Sequence, residues 1–440
     1  MDKSNFFQIG LLVFLAFAGI VAVLIFGGFI PGFRTVTGGT GGTIVLWGTL
    51  PESSLQTFVG NLNRQYEKSF VLKYVAKNPT NYEADLVEAM ASGQGPDLAI
   101  LPQDLLIKHS NKIVPIPYST ITARTFQDTY FDGADILLTT AGITALPLMV
   151  DPLVMYYNKD LFSANNIAFP PANWSDFLRV QKTLTKQNDA GNLLQYGTAL
   201  GDFFNIANTK EIVVALLMQS GNPIIKLGEK GLTVVLGENP NVQTMSSAKA
   251  ATQFFTQFSD PTKATYSWNR SLPEAQESFL GGLLGTYFDF GSAITTINSK
   301  NPHLYYDISI IPQRDNNLSR LTYGRIMTVA VMASSKKQAY AASVAQILTN
   351  ASSAKVFAEA TSLAPARRDL LSAGASDPKK DVIYKSALAS RAWLDPDPVK
   401  SRQIFNSMIE SMTIGRVGAE GAVSSAAGEL NTLISNSYAQ

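Results

Sequence analysis

The chain has 440 residues, 46% apolar and 16% charged, which is more than one hydrophobic core usually holds and unlike the composition of a disordered chain. Its 35 basic and 34 acidic side chains give a formal charge of +1 with no Lys/Arg run, so neither nucleic acid nor another polyanion is an expected partner. Without cysteine it has no disulfide, thiolate metal site or Cys nucleophile, and its two histidines, His109 and His303, are few for zinc or triad chemistry; no metal and no cofactor are expected.

Ile9–Ile30 is a stretch of 22 uncharged residues behind Lys3, about the ~20 needed for a helix to cross a hydrocarbon core. A signal peptide normally has a shorter apolar region, about 7–15 residues, and Ala16-Phe17-Ala18 lies in the middle of the run. The expectation is therefore an uncleaved single-pass anchor at 9–30, with residues 1–8 cytoplasmic and the rest of the chain extracytoplasmic. Pro31–Thr43, PGFRTVTGGTGGT, cannot bury apolar surface and reads as a tether with a reach of about 20 Å.

Beyond the tether, Ile44–Trp47 reads as a strand and Glu52–Ser69 as a helix, with Leu55, Phe58, Val59, Leu62 and Tyr66 at helical spacing. A strand at Phe70–Val75, a helix at Tyr82–Ser92 and a strand at Leu98–Leu101 follow, an alternation that implies a parallel sheet with right-handed crossovers. Ala145–Phe162, ALPLMVDPLVMYYNKDLF, predicts a buried strand at Leu146–Val150, a break at Asp151-Pro152, a second strand at Leu153–Tyr157 and a turn. Helices are expected at Trp174–Lys186, capped by Asn173 or Ser175, at Lys210–Ser220, at Ala248–Phe258 and at Ala339–Thr349. Strands are expected at Leu283–Phe290, Tyr306–Ile311 and Met327–Met332.

Several of these strings resemble one family in order and spacing. TIVLWGT, SGQGPDLAIL, the apolar strand followed by YYNKDLF, the Trp-x-Asp-Phe helix start, FLGGLLGTYFDFGSAI and SLAPARRD are similar to segments of the family 1 extracellular solute-binding proteins. The resemblance implies an α/β, two-lobed periplasmic-binding-protein fold of type II, here preceded by the transmembrane helix. It places residues 43–151 plus 315–362 in lobe 1 and 152–314 plus 363–440 in lobe 2, with hinge connections near Asp151, Arg314 and Ser362. Two departures stand out. Most Gram-positive relatives carry a lipobox cysteine, which this chain lacks, and Leu101-Pro102 stands where the sugar-binding branch often has an aromatic residue.

In such a fold ligands collect at the carboxyl ends of the strands, between the lobes. The candidates there are Trp47, Thr49 and Glu52 after the first strand, Gln103 and Asp104 after the third, and Asp151 at the hinge. Asn205 follows Tyr196–Leu200 and Phe290 ends the strand after Gly285, both in lobe 2, and Trp393 lies where relatives often place an aromatic wall. Carboxylates and amides suit sugar hydroxyls, and aromatic faces suit ring C–H surfaces. Competing roles are a helix cap for Asp104, core packing for Trp47 and a turn for Asp151.

The expected function is a membrane-tethered receptor that captures a small neutral solute, a sugar or oligosaccharide, and delivers it to the permease subunits of an ABC importer. The alternatives are a surface-anchored carbohydrate-active enzyme using paired carboxylates such as Asp104 and Asp151, which need a separation of about 5–9.5 Å, and a scaffold or sensor on the same fold.

Overall fold

A computed structural model describes residues 42–228, 231–237, 242–315 and 319–438. The expected cytoplasmic N-terminus, membrane segment and nearly all of the tether lie outside the described residues; among those described, no helix is long and apolar enough to cross a membrane.

The chain forms two lobes on one mixed sheet. β1 (Thr43–Gly48), β2 (Val71–Ala76) and β3 (Leu98–Pro102) are parallel, with β1 in the middle. Burial alternates along β2, the edge strand, whereas β3 is buried from Leu98 to Leu101 because neighbours flank it on both sides. The intervening helix, Glu52–Gln65, buries Leu55 and Leu62, which lie two turns apart on one face. It ends four residues earlier than the apolar spacing predicts.

β4 spans Leu146–Asn158, 13 residues without interruption, and this corrects the expected break at Asp151-Pro152. Proline removes a ladder donor, but Pro152 stands where β4 changes partners. On one side β4 pairs up to Pro152 with the antiparallel strand β10 (Thr322–Val331) and from Val154 onward with β9 (Tyr306–Ile310). On the other side it pairs from Leu153 onward with β8 (Leu284–Phe290). The partner opposite Pro152 is Gly324, where a Cβ would sit 2.6 Å from the Ser390 side chain, so only glycine allows this close approach.

β10 also pairs antiparallel with β3, so β10 and β4 carry the sheet from one lobe into the other. In the second lobe β5 (Leu193–Thr198) runs parallel to β8, and a separate hairpin is formed by β6 (Ile225–Gly228) and β7 (Gly231–Val234). The helix Trp174–Leu184 is capped by Asn173, whose side chain accepts from the Asp176 N–H. Trp174 and Phe177 from this helix meet Phe254, Phe258 and Phe288 in a cluster of rings 5.0–6.0 Å apart, the centre of the second lobe's core.

Candidate functional site

The third strand, β10 and the helix Thr209–Gln219 meet where the lobes adjoin. Gln103, in the short helical turn after β3, donates to the Tyr323 hydroxyl at 3.2 Å and accepts from the Ile326 N–H at 2.5 Å. It is spent on fastening the turn to β10. Asp104 follows and faces Arg325 and Lys210, with Glu211 behind them; no other described residue donates a hydrogen bond to its carboxylate. Burial raises the Asp104 pKa against the pull of these two cations. Because it lies within the turn, Asp104 does not cap it.

Lys210 and Glu211 begin the helix Thr209–Gln219, whose remaining side chains are almost all apolar and buried. Lys210 donates to Asp395 at 2.9 Å and to Ser401 at 3.3 Å. Asp395 is sealed from water, and burial pushes its carboxyl up to about 6 even beside Lys210. Glu211 Oε1 lies 3.8 Å from Arg325, while its buried Oε2 has no hydrogen-bond partner. Arg325 stacks over the Phe290 ring at 4.2 Å. Its own charge is favoured: burial acts against it, but Tyr323, Glu211 and Asp104 more than offset that.

Next to this cluster, Lys108 contacts Glu83 at 2.8 Å and reaches Asp397, across the lobe junction, at 3.6 Å. Asp397 also caps the helix Pro398–Thr413. His109 is buried against Glu83 at 2.9 Å, and burial lowers its pKa, while His303 is exposed.

The remaining sequence candidates divide by environment. Asp151 is 6% exposed and both its oxygens accept from Ser292, the N–H at 3.0 Å and the hydroxyl at 2.5 Å. Burial pushes its carboxyl up to about 6 against these bonds. It pins the start of the helix Ala293–Lys300 to β4. Asn205 is not brought to the cluster: it accepts from the Trp268 indole and donates to Asn269 and Leu272 carbonyls inside the second lobe. Trp47 is 8% exposed, its ring covered by the Lys77 ammonium at 3.7 Å. Thr49 is half-buried, and Glu52 is exposed on the first turn of its helix. Trp393 is buried edge-on to Phe405 and lines a small cavity at the lobe junction.

The sequence reading missed Lys108, Lys210, Glu211, Arg325, Asp395 and Asp397. One signal was available: a Lys-Glu pair opening the run IVVALLM has no polar helix face to occupy, so it must point at partners elsewhere. Arg325 within TYGRIMTVAV is a similar anomaly, a lone charge in a buried strand.

Taken together, Asp104, Glu211 and Asp395 outnumber Lys210 and Arg325, and acceptor oxygens remain over. The arrangement suits a guest that brings hydroxyl or other donors. Among the described residues no cluster has the makings of a metal site. Two wider grooves on the second lobe, about 470 and 870 Å³, include none of these charged side chains.

Residues 61–385 match the family model described as bacterial extracellular solute-binding protein. No curated protein matches the chain. Among solved structures, a cyclo/maltodextrin-binding protein complexed with maltotetraose is similar at 18% identity and a TM-score of 0.71, covering 90% of this chain and 98% of that one. The cyclic alpha-maltosyl-1,6-maltose binding protein from Arthrobacter globiformis gives 14% identity and 0.73 over 90% of this chain and 99% of its own. The maltose-maltodextrin binding protein of Alicyclobacillus acidocaldarius gives 18% and 0.62 over 88% and 100%.

Proposed function

We propose, because this chain belongs to the bacterial extracellular solute-binding protein family, that it is a membrane-tethered receptor which captures a saccharide between its lobes and delivers it to an ABC importer. The lobes divide at the connections near Asp151, Arg314 and Ser362, with residues 43–151 plus 315–362 in one and 152–314 plus 363–440 in the other. Residues 9–30 anchor the receptor, and the Gly/Thr tether lets it range above the bilayer.

The observation that carries this reading is a pair of acceptors contributed from opposite sides of the junction, Asp104 half-buried and Glu211 buried. Asp104 takes no hydrogen bond from another described residue, and Glu211 Oε2 has no partner. A buried acceptor left in this state is costly, and the hydroxyls of a guest would satisfy Glu211 and reach Asp104 beside it. A guest bridging the two lobes binds the closed form better, shifts the population toward it and so gives the permease a state to recognise. The saccharide-binding neighbours on the same fold support the choice of ligand class.

The paired-carboxylate enzyme reading has less support, since both oxygens of Asp151 are held by Ser292. Titration calorimetry and small-angle scattering against mono- and oligosaccharides test the receptor reading. Binding with compaction is expected; no binding and no compaction with any saccharide overturns it.

A further inference from the structure

A cavity of about 160 Å³ opens between the lobes beside the charged cluster. Leu106, Ile107 and Ile136 line it from the first lobe, and Leu227, Leu232 and Trp393 from the second. It adjoins the cluster at two points in the chain, because the lining residues Gln103 and Leu394 immediately precede Asp104 and Asp395. Its volume is close to the roughly 150 Å³ at which an apolar cavity takes up benzene.

Three aromatic faces near the junction are covered by cations, and Trp393 turns into the cavity itself. Lys77 covers Trp47 at 3.7 Å, Arg325 covers Phe290 at 4.2 Å and Arg402 lies 5.0 Å from the Phe203 ring. Leu101, at the end of β3, is aliphatic and fully buried. The polar groups on its wall are Gln103, already bonded to Tyr323 and Ile326, and the hydroxyls of Ser110, Thr139 and Thr144, so a polyhydroxylated ring would lose water from more hydroxyls than the mostly apolar lining can re-pair. An apolar ring loses nothing of the kind and gains from leaving water.

We infer that the guest is amphiphilic: its hydroxylated part meets Asp104 and Glu211, and an apolar group the size of one ring fills the cavity lined by Ile107, Leu232 and Trp393. The inference rests on the receptor reading above and names the ligand class within it, a glycoside with an apolar aglycone in place of a plain oligosaccharide.

The test compares phenyl and methyl glucosides and maltosides by calorimetry on the full chain in detergent. The phenyl compounds are expected to bind about tenfold tighter or more, as burial of a ring from water requires. Ile107→Phe fills the cavity and is expected to bring the phenyl-to-methyl ratio close to one; Leu227→Trp, at a position 43% exposed, fills it from the other lobe without crowding the core. Equal affinities in the wild type overturn the inference. If neither glycoside binds, the saccharide reading fails by itself, and fluorine NMR of fluorobenzene decides the apolar site: binding that Ile107→Phe abolishes upholds it, and no binding overturns it.

Discussion

In the second lobe Trp174, Phe177, Phe254, Phe258 and Phe288 fill their space with rings alone, whereas the lobe junction encloses Asp104, Lys210, Glu211, Arg325 and Asp395. Lys210, Glu211 and Asp395 are as buried as most of the rings while Asp104 and Arg325 are half-buried, and different forces hold the two regions. The ring cluster is satisfied by its own contacts and needs nothing from outside. The junction pays for desolvated charge with ion pairs that leave some oxygens over, so a guest can improve it. A core and a candidate binding site are thus distinguished less by burial than by whether the buried groups are finished.

The largest effect should come from the rings. Phe177→Ala is expected to cost about 3–5 kcal/mol in urea unfolding, the range for emptying a packed aromatic site, with ligand affinity measured on the folded fraction unchanged. An equal loss of affinity would mean that core and junction are one unit.

Lys210→Met leaves Asp395 buried and unpaired and should cost about 3 kcal/mol, most of it recovered by adding Asp395→Leu, since removing both charges is far milder than removing one. Both side chains are almost fully buried, at 5% and 0% exposure. Failure of the double variant to recover would show that the pair does more than neutralise itself.

Asp104→Asn sharpens the contrast from the other side. Saccharide affinity should fall about tenfold to a hundredfold, the worth of a hydrogen bond to a charged group. Thermal stability should hold or rise, because a desolvated carboxylate has been removed.

Asp151 gives a pH signature. Its folded pKa of about 6 lies above the ordinary 3.8, so the fold holds the proton more tightly than the unfolded chain does. The resulting stabilisation is complete below about pH 4 and is lost as pH rises through about 6, at most on the order of 3 kcal/mol. Asp151→Asn should flatten that part of the stability–pH curve measured by urea titration. The smallest effect belongs to Lys108→Met at the junction's rim. Partly exposed pairs are worth under about 1 kcal/mol, so scattering should detect only a slight, salt-dependent opening of the lobes.

Much of the fold is legible in the sequence because it depends on local pattern. The strand–helix alternation from Ile44 to Leu101 appears with boundaries shifted by a few residues, and Asn173 caps its helix with the side chain that short-range chemistry favours. Pro152 misled because its effect depends on which neighbours flank β4, and that is a property of the assembled sheet. The site was less legible. Position after a strand picked out Asp104, but also Asn205, which spends its amide on Trp268, Asn269 and Leu272.

By itself, the sequence determined the alternation of strands and helices, the order of its elements and the absence of thiol chemistry, since periodicity, turn residues and composition act over short stretches of chain; the two lobes followed from the family resemblance. Only the tertiary structure decided which charges meet. Asp104, Lys210, Arg325 and Asp395 are far apart in the chain, and folding brings them to one junction where low dielectric and missing partners give them their role.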